Sequence, residues 1–119
     1  MMKKVGLGLI AIIMMLSFAT SASAATREST GTFTHAGGTI WVDYSFYDSH
    51  VHGFLSVSVY RVTSSGDVFV GWFSREGGRP GHDMHNGTGY VASSQPAGTY
   101  KYVATVPDAW MGPSLSFHN

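Results

Sequence analysis

Cysteine is absent from this chain of 119 residues, so no crosslink can support the fold. A small exported domain often depends on disulfides; here burial alone must do that work, hiding roughly two thirds of the unfolded surface. Also missing are any helix-period apolar window after the first two dozen residues, any internal repeat and any linker. No excess of positive charge is present either. Seven basic residues meet seven acidic ones, and two of the seven, Lys3 and Lys4, sit at the extreme N-terminus. The remainder is therefore slightly acidic, which argues against nucleic acid as a partner, since phosphates are bound mainly by Lys and Arg. It argues equally against a cationic membrane-disrupting peptide.

What the sequence does have begins with a three-part leader. Lys3 and Lys4 supply a positive start, Val5 to Phe18 an apolar run, and Ala22-Ser23-Ala24 a small-residue cleavage site. The run is short for a bilayer core of roughly 30 Å, and small polar residues follow it at once. Residues 1–24 are thus expected to be a secretory signal peptide and 25–119 a single domain. The expected location is secreted and extracellular, with no transmembrane segment after cleavage. All six histidines fall in the second part, so its charge should respond to mild acid.

From residue 25 onward the apolar pattern has period two. In Thr39 to Tyr47, Ile40, Val42, Tyr44 and Phe46 share one face, and Trp41, Asp43, Ser45 and Tyr47 the other. In Phe54 to Thr63, Leu55, Val57 and Val59 oppose Ser56, Ser58 and Tyr60. Further strands are predicted at Gly31 to Ala36, Asp67 to Ser74, Thr88 to Ser94, Thr99 to Val106 and Ser114 to His118, each rich in β-branched or aromatic residues. Gly37-Gly38, Ser64-Ser65-Gly66-Asp67, Gln95-Pro96-Ala97-Gly98 and Met111-Gly112-Pro113 carry turn chemistry between them. The expected fold class is all-β, a small antiparallel β-sandwich of six or seven short strands; a small closed barrel fits the same pattern. Pro96-Ala97-Gly98-Thr99-Tyr100 resembles the approach to the last strands of many extracellular sandwiches. From Arg75 to Gly89 the chain is polar and glycine-rich, which predicts a long loop of the kind that is usually functional or disordered.

Two stretches resemble the lactococcin-972-like bacteriocins. The first is Gly38-Thr39 and Trp41, then Tyr44-Ser45-Phe46-Tyr47 and the segment bearing His50, His52 and Ser56. The second is Gly78-Arg79-Pro80-Gly81-His82-Asp83 followed by Gly89-Tyr90-Val91-Ala92. An additional strand, Asp67 to Ser74, separates them, and the C-terminal Ser114-Leu115-Ser116-Phe117 matches only loosely. The resemblance implies a secreted, cysteine-free β-sandwich with antibacterial action on related bacteria, exerted by binding the cell-wall precursor lipid II and blocking septum formation.

Such a target presents a pyrophosphate, sugars and a peptide, so arginine forks, backbone amides and aromatic faces would serve it. The expected ligand-binding residues are Arg75, Arg79, Gly78 and Gly81 in the loop, with Trp41, Tyr47 and Tyr60 on the faces opposite the core. A carbohydrate- or surface-binding module is the alternative, since it shares the fold and the exposed rings. A histidine metal site is a weaker one: His50 and His52 would point to one side of a continued strand, and His82 and His85 flank Asp83. No cofactor is implied. No nucleophile elbow or triad order is present, so no enzyme is expected. The partner is a cell-wall precursor or cell-surface glycan, and unpaired sheet edges are compatible with a homodimer.

Overall fold

A computed structural model of the chain describes residues 25–79 and 83–119. Residues 1–24, where the signal peptide is expected, and Pro80, Gly81 and His82 lie outside them. Seven strands follow one another: β1 (Thr26–His35), β2 (Gly38–Tyr47), β3 (Gly53–Thr63), β4 (Gly66–Gly77), β5 (Met84–Gln95), β6 (Gly98–Pro107) and β7 (Met111–His118). They form two antiparallel sheets, a four-stranded one ordered β1-β6-β3-β4 and a three-stranded one ordered β5-β2-β7. The choice between sandwich and barrel is thereby resolved in favour of two sheets. Only the β3–β4 hairpin stays within a sheet; every other connection crosses to the opposite one.

Alternation places the core where the period-two pattern predicts it. Ile40, Val42, Tyr44 and Phe46 of β2 and Leu55, Val57 and Val59 of β3 are buried, facing Val91, Ala92, Tyr100, Ala104 and Val106 from β5 and β6. Aromatic contacts close the side where β1 and β7 approach: Phe33 stacks on Phe117 with ring centroids 4.1 Å apart and planes within 1°. On the side of β4 and β5, a side chain at Gly71 would meet the Val91 carbonyl, so glycine lets β4 lie against β5 there.

Tyr100 locks the β5–β6 corner. Its ring is fully buried, and its hydroxyl donates to the carbonyl of Pro96, four residues upstream, at 2.6 Å. Burial raises the phenol above its usual pKa, with nearby Arg61 pulling weakly the other way. Tyr100→Phe removes the donor and leaves the carbonyl without it, an expected loss of about 1–2 kcal/mol readable as a lowered urea midpoint at unchanged slope.

The stretch expected as a long loop is mostly strand. β4 runs on to Gly77 and β5 begins at Met84, so Arg75, Glu76, His85 and Gly87 to Gly89 are all paired residues. The glycines are there for rings: a Cβ on Gly77 would strike Trp110 and Phe46, one on Gly87 Tyr44, and one on Gly89 Phe73. Ring atoms of aromatic side chains come close to the strand backbone at each of these points.

Candidate functional site

Two regions carry the polar and aromatic residues of interest, and they meet at one end of the sandwich. The first is the end itself, where the turn between β2 and β3 packs on the β4–β5 connection. Ser49 and His50 take left-handed backbone conformations (φ 52° and 61°), which curls the chain so that it does not extend as a strand. The expected arrangement of His50 and His52 on one strand face is therefore corrected. Asp48, fully buried, anchors the turn: its carboxylate accepts from the amide of His50 at 2.9 Å, the amide of Gly78 at 2.6 Å and His85 Nε2 at 2.8 Å. Its own amide donates to the Asp83 carbonyl. Burial alone pushes the Asp48 carboxyl up, but the bonds from His85, Gly78 and His50 together outweigh it and hold the group below the ordinary carboxylate value.

Gly78 has two reasons to be glycine. Its φ is 89°, and a Cβ would lie 2.4 Å from the backbone of His52. The Gly78 amide, expected to serve an external anion, is already donated to Asp48. Arg79 is likewise engaged, its Nε bonded to Glu76. Arg79 and, more weakly, His52 lower the Glu76 carboxyl against the opposing effect of burial. Arg75 is exposed, and among the described residues it has no hydrogen-bond or ion-pair partner. It lines a 320 Å³ cleft together with Glu76, Gly77, Arg79 and His85. Gly81 lies outside the described residues.

His50, His52 and His85 come to one end of the fold, and each of these rings ends on a carboxylate. His85 meets Asp48, His50 Nδ1 lies 3.1 Å from Asp83 Oδ1, and His52 Nε2 lies 3.5 Å from Glu76. Among the described residues no group of three or more potential ligands converges on one point; His82 lies outside them.

The second region is the outer face of the four-stranded sheet. Register pairs Ser58 with Trp72, Tyr60 with Phe69, and Phe54 with Glu76, and the buried partners Leu55, Val57 and Val59 set all of these outward. Trp72 is 62% exposed, Phe69 54% and Phe54 49%; Tyr60 meets Phe69 edge-on at 5.7 Å. Ser56, Ser58 and Ser74 lie between the rings. With a rise of about 3.3 Å per residue, the strip from Phe54 to Tyr60 is about 20 Å long. An exposed apolar patch of this kind on a small domain marks an interaction surface more often than an isolated ring does. The charges flanking the rings are paired, Lys101 with Asp67 at one end and Glu76 with Arg79 and His52 at the other, while Glu28 on β1, across Thr105 from Ser56, is exposed and has no partner among the described residues.

Of the expected binding aromatics, only Tyr60 belongs to this strip. Trp41 lies on the outer face of the three-stranded sheet, edge-on to Tyr90 at 5.6 Å. Tyr47 pairs with Met84 and Met111 on that same sheet. Beside them Asp43 accepts from Thr88 at 2.6 Å and lies 3.1 Å from His118 Nε2; these bonds lower its carboxyl and raise the His118 imidazole. The three aromatics are thus divided between opposite sides of the sandwich.

No family model matches the sequence, and neither does any curated protein. Among solved structures the chain is similar to that of infectious bursal disease virus Gt strain, at 18% identity and TM-score 0.39 over 80% of this chain and 26% of that one. It is similar also to the VP2 subviral particle of infectious bursal disease virus, at 20% identity and TM-score 0.39 over 81% and 26%. A third is the disulfide-linked pili of Bacillus endospore appendages, at 12% identity and TM-score 0.23 over 68% and 83%. The chain thus spans only 26% of the length of either viral chain, and likenesses at these scores assign no function.

Proposed function

We propose that the exported chain acts at the bacterial cell envelope by binding the glycan part of a wall precursor or wall polymer on the outer face of its four-stranded sheet. The observation that carries this reading is the strip of Phe54, Trp72, Tyr60 and Phe69 interleaved with serine hydroxyls. Sugar rings offer C–H faces that pack on aromatic rings and hydroxyls that pair with polar side chains, and a neutral glycan suits a strip whose flanking charges, Lys101 with Asp67 and Glu76 with Arg79, are paired. Exposure of these rings to water also leaves a stacking energy to be gained on binding.

The bacteriocin reading implied by the family resemblance is the special case in which the ligand is lipid II. Arg75 favours it: although it pairs with buried Leu55 and so leaves the sheet on the side opposite the strip, its exposed guanidinium lines a cleft that borders the strip at Glu76, the partner of Phe54, and suits a precursor's pyrophosphate. One experiment addresses both. Trp72→Ala should weaken binding to insoluble peptidoglycan and to lipid II about tenfold, roughly 1.4 kcal/mol, while stability stays within about 0.5 kcal/mol of the parent. Arg75→Ala should weaken binding to lipid II alone. Unchanged affinity for both ligands in Trp72→Ala removes the glycan reading. Growth inhibition with thickened, undivided septa in related bacteria would separate an antibacterial protein from a silent binding module.

A further inference from the structure

At the Phe54 end the strip runs into a concavity of 620 Å³, within the range of about 300–1,000 Å³ typical of small-molecule sites. Ser56 and Thr105, cross-strand neighbours on the outer sheet face, put hydroxyls at the side where the concavity joins the strip. Phe54, Val51, Pro107 and Ala109 make most of its remaining wall apolar, with His52 and Asp108 as polar groups among them. Two hydrogen bonds hold this shape. Trp110 Nε1 donates to the Val51 carbonyl at 2.7 Å, and the Asp108 amide donates to the Ala25 carbonyl at 3.0 Å. Gly53 lets the wall close, since a Cβ there would strike the Pro107 ring. Across the His52–Glu76 pair lies the arginine-bearing cleft.

We infer that this concavity is a subsite for one N-acetylated hexose unit of the glycan that lies along the strip, an inference that rests on the glycan reading above. The chemistry of the wall discriminates among occupants. An alkyl chain would cover Ser56, Thr105 and Asp108 without giving them hydrogen-bond partners, which costs free energy for every polar group desolvated. An unsubstituted hexose would pair with those groups but place hydroxyls against Pro107, Val51 and Ala109. An acetamido group supplies both kinds of contact at once, a methyl for the apolar wall and an amide that can donate or accept beside Asp108 and His52. His52 already lies against Glu76, so the Asp108 carboxylate is left as the acceptor in the wall for the acetamido N–H.

The test compares two neutral ligands of equal length and linkage on the purified chain beginning at Ala25: a β-1,4-linked tetramer of N-acetylglucosamine and a β-1,4-linked tetramer of glucose. Calorimetric titration should show the N-acetylated tetramer binding about tenfold or more tightly. Phe54→Ala, at an exposed position that the fold does not need, should weaken the glucose tetramer, because the ring belongs to the strip, and weaken the N-acetylated tetramer more, so that the ratio falls towards unity; Ala109→Trp, which fills the concavity and leaves the strip intact, should lower the ratio with the glucose tetramer almost unaffected, its thermal midpoint being checked first. Equal affinity for the two tetramers, both weakened by Trp72→Ala, overturns the subsite and leaves the glycan face standing. A preference that survives Phe54→Ala and a folded Ala109→Trp also overturns it. Binding of neither tetramer, nor of peptidoglycan, overturns subsite and face together.

Discussion

Asp48→Ala is expected to destabilise the protein by about 3–5 kcal/mol, a large part of the roughly 5–15 kcal/mol that holds an ordinary domain folded. The residue has no solvent exposure and serves three donors from three separate segments: the His50 amide in its own turn, the Gly78 amide after β4, and His85 on β5. Removing the carboxylate leaves those donors facing an apolar hole, and each unsatisfied buried group costs about 1–3 kcal/mol. Asp48→Asn keeps the volume but turns an NH₂ group towards one of the donors, for an expected loss of about 2 kcal/mol.

The pH dependence follows from the depressed pKa. A carboxyl that titrates lower in the folded chain than in the unfolded one contributes stability that is complete above the unfolded value of about 3.9 and disappears as pH falls through the folded value. Chemical denaturation of the parent should therefore weaken steadily below about pH 4, and Asp48→Asn should show a flatter acid limb. An Asp48→Ala protein with a parental midpoint, or equal acid slopes in parent and Asp48→Asn, would show that the carboxylate is not the anchor of this end.

The sandwich itself is legible because its inner faces obey a strict period of two. Ile40 to Phe46 and Leu55 to Val59 alternate without interruption, and burial in a two-layer fold admits only one assignment of such faces. Pro96 to Tyr100 is legible for a similar local reason, its tyrosine bonding back to its own turn. The stretch from Arg75 to Gly89 is not, because glycine ordinarily signals a turn, whereas Gly77, Gly87 and Gly89 provide room for rings contributed by distant strands. Two of these rings, Tyr44 and Trp110, lie more than thirty residues from the glycines they cover, and the third, Phe73, reaches Gly89 from the strand before, so the pairing of ring and glycine is not local.

The aromatic strip is half legible for a different reason. Phe54 and Tyr60 share the parity of Ser56 and Ser58, so their outward face follows from alternation. Phe69 and Trp72 are three residues apart, and a strict period would put them on opposite faces. A register shift opposite Val59 and Tyr60 brings both outward, as an extra residue in one strand of an antiparallel pair does. Arg79 and Gly78, attractive as an anion cradle by composition, are satisfied from within by Glu76 and Asp48. Composition shows which donors exist; only the fold shows which are already engaged.

Trp110→Ala is expected to cost about 3–5 kcal/mol, the range for truncating a buried aromatic, and to disturb the candidate subsite as well as the core. The indole is 1% exposed and stacks on Phe46 at 4.6 Å with planes 6° apart, and the other face of Phe46 carries His85 at 4.6 Å. Phe46 thereby links Trp110 to the same histidine that binds Asp48. Its Nε1 also fixes the Val51 carbonyl at 2.7 Å, and its own carbonyl accepts from Arg27 at 2.8 Å. Trp110→Phe separates the two contributions: it restores most of the buried area but not the donor, so it should recover stability to within about 1–2 kcal/mol of the parent while loosening the Val51 to Phe54 segment. Hydrogen exchange would then show faster opening of the β2–β3 turn with the strands still protected. If Trp110→Phe leaves exchange in that turn unchanged, the indole stabilises the core by packing alone and the wall of the subsite is held by other contacts.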